Sequence, residues 1–249
     1  MKKIVAVTTF TLTLLVACLS VAAQTQSREE VLKEIQAKRA ELAALEKTFL
    51  SPADSDREAF PGFLGAADTG MIRLLPREKY DENATKDNKA LSIRGGGAYY
   101  SFVRSTHEYG YGSDVSLESG MFSVGFAGAD YGMLLNVGDV ALDRISESPA
   151  TRALLEYAPP VQEAKVRLEH QRLWEGIDLS GFTFKSRLSA RVNNTYLLRA
   201  ISVERSDIAV AFRVVRQDAD GSVILLFKVL KRFPTPDFER TKTVARDNN

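Results

Sequence analysis

Aromatic, histidine and carboxylate side chains gather in the most glycine-rich part of the sequence, residues 95–138. Flat rings beside hydrogen-bonding groups are typical of surfaces that bind sugars or peptides. Aromatic residues are also common in β-strands, so the pattern favours half-buried strand residues with a hairpin loop at 107–112, and a ligand-binding surface is the alternative. The candidate ligand-binding residues of this region are Tyr99, Tyr100, His107, Glu108, Tyr109, Tyr111 and Asp114.

Known catalytic motifs are missing from the sequence. It contains no Gly-x-Ser-x-Gly elbow, no His-Glu-x-x-His pattern, no phosphate-binding Walker loop and no dinucleotide-binding glycine pattern. A serine nucleophile would need a base, and neither His107 nor His170 can be matched to a particular serine from the sequence. The sequence therefore favours a protein without catalysis, cofactor or metal, and a secreted hydrolase with its site in 95–138 is the alternative.

Charge and composition limit the possible partners. The chain has 33 Lys and Arg against 32 Asp and Glu, and 45% of its 249 residues are hydrophobic. Such a balance gives no field that would attract nucleic acid or an anionic membrane, while the apolar fraction suffices for a sizeable core. We expect no nucleic-acid partner, and the ligand or protein partner is not specified by the sequence.

The N-terminus has the pattern of a secretory signal peptide, which we place at residues 1–23. Lys2 and Lys3 precede an apolar run that is shorter than a bilayer-spanning helix, and small residues allow cleavage after Ala23. The alternative is lipidation of Cys18, because the preceding Leu-Val-Ala resembles a bacterial lipobox. We predict an exported protein, periplasmic or extracellular; only lipidation of Cys18 would bring it to the membrane, as an outer-membrane lipoprotein.

Residues 24–50 are predicted to form an amphipathic or coiled-coil helix. Ser27 and Glu30 have the spacing of a capping box. An apolar heptad pattern follows, with Lys38 as its one polar interruption. The pattern favours a helix that packs on its own domain or serves as a spacer; the alternative is a coiled coil that makes the protein a homo-oligomer through 27–50.

The remaining chain divides into a linker, one domain and a tail. Proline, glycine and acidic residues predict a linker at 51–70, and 234–249 is expected to be a disordered tail. Between them, 71–233 is predicted to be a single antiparallel β domain. Within it, Ser148 and Pro149 predict a short helix at 149–157. For 161–175, composition weakly favours a second helix, and a strand is the alternative.

Three apolar segments, 196–203, 208–215 and 222–230, predict a strand meander. Pairing Gln217 with Ser222 sets the register of the last two strands and creates an apolar face. The facing pairs are Val214 with Leu225, Phe212 with Phe227 and Val210 with Val229.

The same register extends toward the N-terminus. It pairs Val203 with Ile208 and makes 182–192 a fourth strand, joined through a turn at Asn193 and Asn194. The predicted fold is mainly β (α+β), an antiparallel β-sandwich or open barrel.

Arg199 is the one charged residue that this register places on the apolar face. An unpaired charge there is costly, so we expect an acidic partner such as Glu118 or Asp139, an error in the register, or an opening where an anionic ligand enters. Arg199 therefore joins the candidate binding residues. The predicted function is an exported or cell-envelope β domain that binds a ligand or partner, and the alternatives are the secreted hydrolase and a purely structural envelope lipoprotein.

Overall fold

The computed structural model describes residues 27–81, 94–107, 112–126 and 130–238. The predicted signal peptide, with Cys18, lies outside the described residues, as do Glu108, Tyr109 and Tyr111. The helices are α1 (Arg28–Leu50), α2 (Asp54–Glu58), α3 (Pro61–Leu64), α4 (Arg77–Tyr80), α5 (Pro149–Glu156) and α6 (Glu163–Glu175). The strands are β1 (Thr69–Leu74), β2 (Tyr99–Tyr100), β3 (Val115–Glu118), β4 (Met121–Ser123), β5 (Asp130–Gly138), β6 (Ile177–Leu179), β7 (Phe182–Phe184), β8 (Arg187–Ser189), β9 (Thr195–Ser202), β10 (Ser206–Gln217) and β11 (Val223–Arg232).

Two antiparallel sheets form a sandwich, as predicted. One sheet has five strands in the order β1-β11-β10-β9-β5, and the other has four in the order β2-β3-β4-β8. Apolar side chains of both sheets form a shared core that includes Phe122, Tyr196, Phe212 and Leu225. A second core on the other face of the five-stranded sheet includes side chains of α5, α6 and the β6-β7 hairpin. The five-stranded sheet is therefore buried on both faces.

The predicted register of the last two strands is confirmed where both are apolar. Val210 pairs with Val229, Phe212 with Phe227, and Val214 with Leu225. Beyond Val214 the register shifts by one residue, so Gln217 pairs with Val223 rather than with Ser222.

The predicted register of β9 is wrong by three residues. Ile208 pairs with Ala200 rather than with Val203, because the turn is confined to 203–205, where Glu204 has a φ of 64°. An odd shift exchanges the two faces of a strand. Tyr196 therefore faces the four-stranded sheet, and Arg199 faces the helices.

The predicted strand at 182–192 is also wrong. It divides into β7 and β8, β8 pairs with β4 in the other sheet, and β5 takes the place beside β9. Asn193 does make a turn, with a φ of 64°, but this turn carries the chain from one sheet to the other. The hydroxyl of Tyr196 fixes the crossing, since it donates to Ser189 O at 2.7 Å and accepts from Arg191 N at 2.9 Å.

Both predicted middle helices are present. α5 begins after Ser148, whose Oγ accepts a hydrogen bond from Thr151 N at 3.0 Å, and α6 covers most of 161–175. The segment 51–70 contains α2 and α3, and the buried Asp56 of α2 is ion-paired with Arg216.

The chain divides into two compact units, Met1–Leu45 and Glu46–Asn249. In the first, the apolar stripe of α1 is exposed, from 38% for Val31 to 64% for Leu45. In the second, Arg73 Nη1 donates to Phe49 O at 3.4 Å and so caps the C-terminal end of α1. The structure describes the predicted tail only as far as residue 238. In this part, Pro236 O accepts a hydrogen bond from Glu204 N at 2.7 Å.

Candidate functional site

The predicted aromatic patch does not form a surface among the described residues. Tyr99 and Tyr100 make up β2, and both are buried. Asp114 is buried as well, where its Oδ2 accepts hydrogen bonds from Phe102 N at 2.5 Å and Val103 N at 3.2 Å. These side chains serve the sandwich core and one turn of its four-stranded sheet.

His107 is held by the backbone of the neighbouring sheet. Its Nε2 donates to Arg73 O at 2.7 Å, and its ring packs edge-on against Tyr100. Burial lowers the pKa of His107, and the hydrogen bond to Arg73 opposes that shift. The Nε2 nitrogen is thus engaged as a donor, and none of the hydrogen bonds between described residues joins the ring to a serine hydroxyl or a carboxylate.

Arg199 is buried and fully engaged by the protein. Its acidic partner is Asp207, rather than Glu118 or Asp139, and the register of β9 was indeed in error. Arg199 Nη1 donates to Leu154 O at 3.1 Å and to Tyr157 O at 2.6 Å. Its guanidinium carbon also lies 3.7 Å from the centre of the Phe233 ring. These contacts leave Arg199 as a structural residue that does not face an opening.

The segment that Arg199 holds, 157–162, forms one wall of a cavity of about 650 Å³. One face of α6 forms the second wall, and β6 forms the third. The polar residues lining the cavity are Tyr157, Gln162, Lys165, Glu169, Arg172 and Asp178, and the apolar ones include Pro159, Pro160, Leu168, Ile177 and Leu179. A cavity of this size with apolar walls and few polar groups is typical of small-molecule sites.

Glu169 brings a carboxylate to the cavity from the buried face of α6. It lies between Val166 and Leu173 at helical spacing, and only 7% of its surface is exposed. Oε1 accepts a hydrogen bond from the Tyr157 hydroxyl at 2.9 Å, and Oε2 accepts one from Arg172 Nη1 at 2.7 Å. The Arg172 side chain is 65% exposed. The buried carboxylate of Glu169 is therefore paired, among the described residues, with a cation that lies mostly in solvent.

Two tyrosine hydroxyls lie behind Glu169. Burial is the main cause that raises the pKa of both Tyr131 and Tyr157, and the neighbouring charge of Glu169 adds to the shift in each. Both phenols are therefore neutral near pH 7. The Tyr131 hydroxyl is buried without a hydrogen-bond partner among the described residues, although Tyr157 is its neighbour.

The cavity offers groups that can bind a ligand. Among the described residues that line the cavity there is no serine, cysteine or histidine. The described part of the chain also has no group of three or more potential metal ligands. What the cavity offers is one buried carboxylate, hydrogen-bonding groups at its rim and aliphatic walls.

The sequence contained part of the information needed to find this site. Val166, Glu169 and Leu173 follow an i, i+3, i+7 pattern, which places a carboxylate on the packed face of a helix. The pattern was missed because the apolar residues of 161–175 do not fall on a single stripe. The partner hydroxyl of Tyr157 comes from the preceding connection and carried no sequence signature.

Comparison of the chain with protein-family models, with curated proteins and with solved structures gave no match. None of the described helices is both long and apolar enough to cross a membrane.

Proposed function

We propose that the protein is an exported, non-catalytic β domain that binds a small organic cation, an alkylammonium or alkylguanidinium, in the cavity over Glu169. The observation that carries the proposal is the buried carboxylate at the cavity whose counter-ion, Arg172, is mostly exposed. Charge interactions strengthen as water is excluded, so a cation that reaches Glu169 from within the cavity gains more than an exposed side chain does.

The walls support a ligand with an aliphatic part. Pro159, Pro160 and Leu168 line the cavity near the charged groups and offer apolar contact to a hydrocarbon stem. At the rim, the charge of Lys165 opposes a cation and that of Asp178 attracts one, so these two residues nearly cancel. Selectivity for a cation would then rest on Glu169.

Isothermal titration calorimetry with four ligands of equal chain length tests the proposal. We expect hexylammonium and hexylguanidinium to bind, and neutral hexanol and anionic hexanoate to bind more weakly. Glu169→Gln should lower the affinity for both cations by more than about tenfold, because it removes the charge and retains an acceptor for Tyr157. Arg172→Gln should raise the affinity, because it removes the competing internal cation.

A matched ion pair on the same helix serves as the control. Glu163 and Arg167 are joined at 2.6 Å, both are exposed, and neither lines the cavity. Glu163→Gln should leave the binding of both cations unchanged. If Glu169→Gln binds the cations as tightly as the unmodified protein while its circular dichroism spectrum is intact, the proposal fails.

Export is the second part of the proposal, and the support for it is the basic and apolar start of the sequence. Mass spectrometry of the mature protein, expressed in a bacterium with its full N-terminus, should find Gln24 as the first residue. A diacylglyceryl adduct on Cys18 would instead establish the lipoprotein alternative.

A further inference from the structure

A second concave surface, of about 580 Å³, lies on the same face of the five-stranded sheet but is lined by different residues. We call it the α3 groove. One wall is formed by α3 and its flanks, the other by 139–143, and the floor by β1, β10 and β11. Its apolar lining residues are Phe60, Phe63, Ala66, Ala141, Leu142 and Leu226.

The floor of the α3 groove carries two cationic side chains, Arg213 and Lys228, of which only Arg213 forms a described ion pair. Arg213 Nη2 donates to Asp139 Oδ1 at 2.7 Å, so the charge of Arg213 is neutralised by the wall of the groove. Lys228 lies two residues beyond Leu226 on β11 and therefore on the same face of the sheet. The hydrogen bond that Lys228 Nζ makes within the described residues goes to a neutral hydroxyl, Ser146 Oγ, at 3.3 Å.

The remaining charge of the lining belongs to Asp143, which differs from Lys228 in its exposure. Asp143 is exposed on the loop, whereas the residue Lys228 is half-buried beside the apolar floor and the hydrogen bond of its ammonium group is exposed. No ion pair between described residues joins Lys228 to Asp143 or to another carboxylate. The floor of the groove therefore combines hydrocarbon surface with one ammonium group that has no described ion-pair partner.

We infer that the α3 groove is a second binding site, which takes an aliphatic chain ending in a carboxylate. The chain would lie along the phenylalanine rings, and the carboxylate would pair with Lys228 Nζ. This site does not depend on the cation site over Glu169, because the two surfaces share no lining residue.

Gly62 provides a position from which a large side chain would block the groove. It lines the groove, and a Cβ added to it would meet no atom within 4 Å. Gly65 ends the same helix, does not line the groove, and would bring a Cβ to 3.4 Å from Pro61 O, an ordinary contact. Gly62→Trp and Gly65→Trp are therefore a matched pair.

The experiment is calorimetric titration of the full chain with decanoate, decanol and decyltrimethylammonium, each below its critical micelle concentration. We expect decanoate to bind most tightly, and Lys228→Gln to weaken decanoate by about fivefold while leaving decanol unchanged. Gly62→Trp should abolish binding of decanoate, and Gly65→Trp should retain it.

Each outcome bears on a separate part of the inference. If Lys228→Gln binds decanoate as well as the unmodified chain does, the carboxylate assignment is wrong. If Gly62→Trp binds decanoate normally, the groove is not the site. Unchanged decanoate binding in Glu169→Gln is expected, and a loss there would overturn the independence of the two sites.

Discussion

The guanidinium of Arg199 and the carboxylate of Asp207 lie side by side on neighbouring strands, joined by two hydrogen bonds of 2.9 and 2.8 Å. Each side chain is only 2% exposed. Because Arg199 also donates to two carbonyls at the end of α5, the pair connects β9 and β10 to the helical layer. The same residues position the segment that forms one wall of the cation site.

Replacing Arg199 alone should strongly destabilise the protein. Arg199→Met leaves the Asp207 carboxylate buried without its partner, and we expect the free energy of unfolding to fall by about 3–5 kcal/mol. The double variant Arg199→Met with Asp207→Leu should recover part of this loss, because no charge is then buried. Urea unfolding measures both values.

An ion pair in which only the carboxylate is exposed provides the comparison for that measurement. Arg213→Met breaks the contact with Asp139, whose side chain is 75% exposed, and should cost no more than about 1 kcal/mol. Equal losses for Arg199→Met and Arg213→Met would contradict the special role given to the buried pair.

Asp114 should make the stability depend on pH. Burial raises its pKa from 3.8 to about 6, against hydrogen bonds from Val103, Phe102 and Ser101 that lower it. The folded state thus holds the proton more tightly than the unfolded state does, so the contribution is full below about pH 4 and is lost as the pH rises through about 6. We expect a loss of up to about 3 kcal/mol over this range.

Asp114→Asn isolates this contribution, because an amide does not titrate. The difference in unfolding free energy between Asp114→Asn and the unmodified protein should shift in favour of the variant from about pH 4 to pH 7. Urea unfolding at intervals of pH measures this difference, and two parallel curves would refute the assignment.

Two buried tyrosine hydroxyls should respond in opposite ways to removal. Tyr131 has no hydrogen-bond partner among the described residues, so Tyr131→Phe should be neutral or slightly stabilising. Tyr196 bonds to Ser189 O and Arg191 N, so Tyr196→Phe should cost about 1–3 kcal/mol. Thermal unfolding of both variants tests the contrast, and a larger loss for Tyr131→Phe would contradict it.

The sequence predicted the long apolar strands and failed where a polar pair is buried. β10 and β11 are long and apolar and are joined by a short loop, so their pairing around Phe212 and Phe227 followed from aligning them across that loop. Ser206 and Asp207 had the composition of a loop, yet both belong to β10, because Arg199 compensates the charge of Asp207 from the next strand. The composition around Asp207 gives no indication of a charge partner on another strand.

The binding residues were harder to predict than the fold for a related reason. Tyr99 and Tyr100 are adjacent in a strand and would be expected on opposite faces, yet both are buried. Glu169 and Tyr157 are brought together by the packing of α6 against the connection that precedes it. Side-chain spacing within one element predicts neither arrangement.

The pairing of β1 with β11 has a consequence for biosynthesis. Thr69 pairs with Lys228 and Leu74 with Val223, so the first strand of the five-stranded sheet needs the last one. A chain that leaves the ribosome from its N-terminus cannot complete this sheet until β11 has emerged, and pairing across such a sequence distance is slow. Under the proposed export, this strand order would delay completion of the sheet and help keep the chain competent for translocation until synthesis is nearly complete.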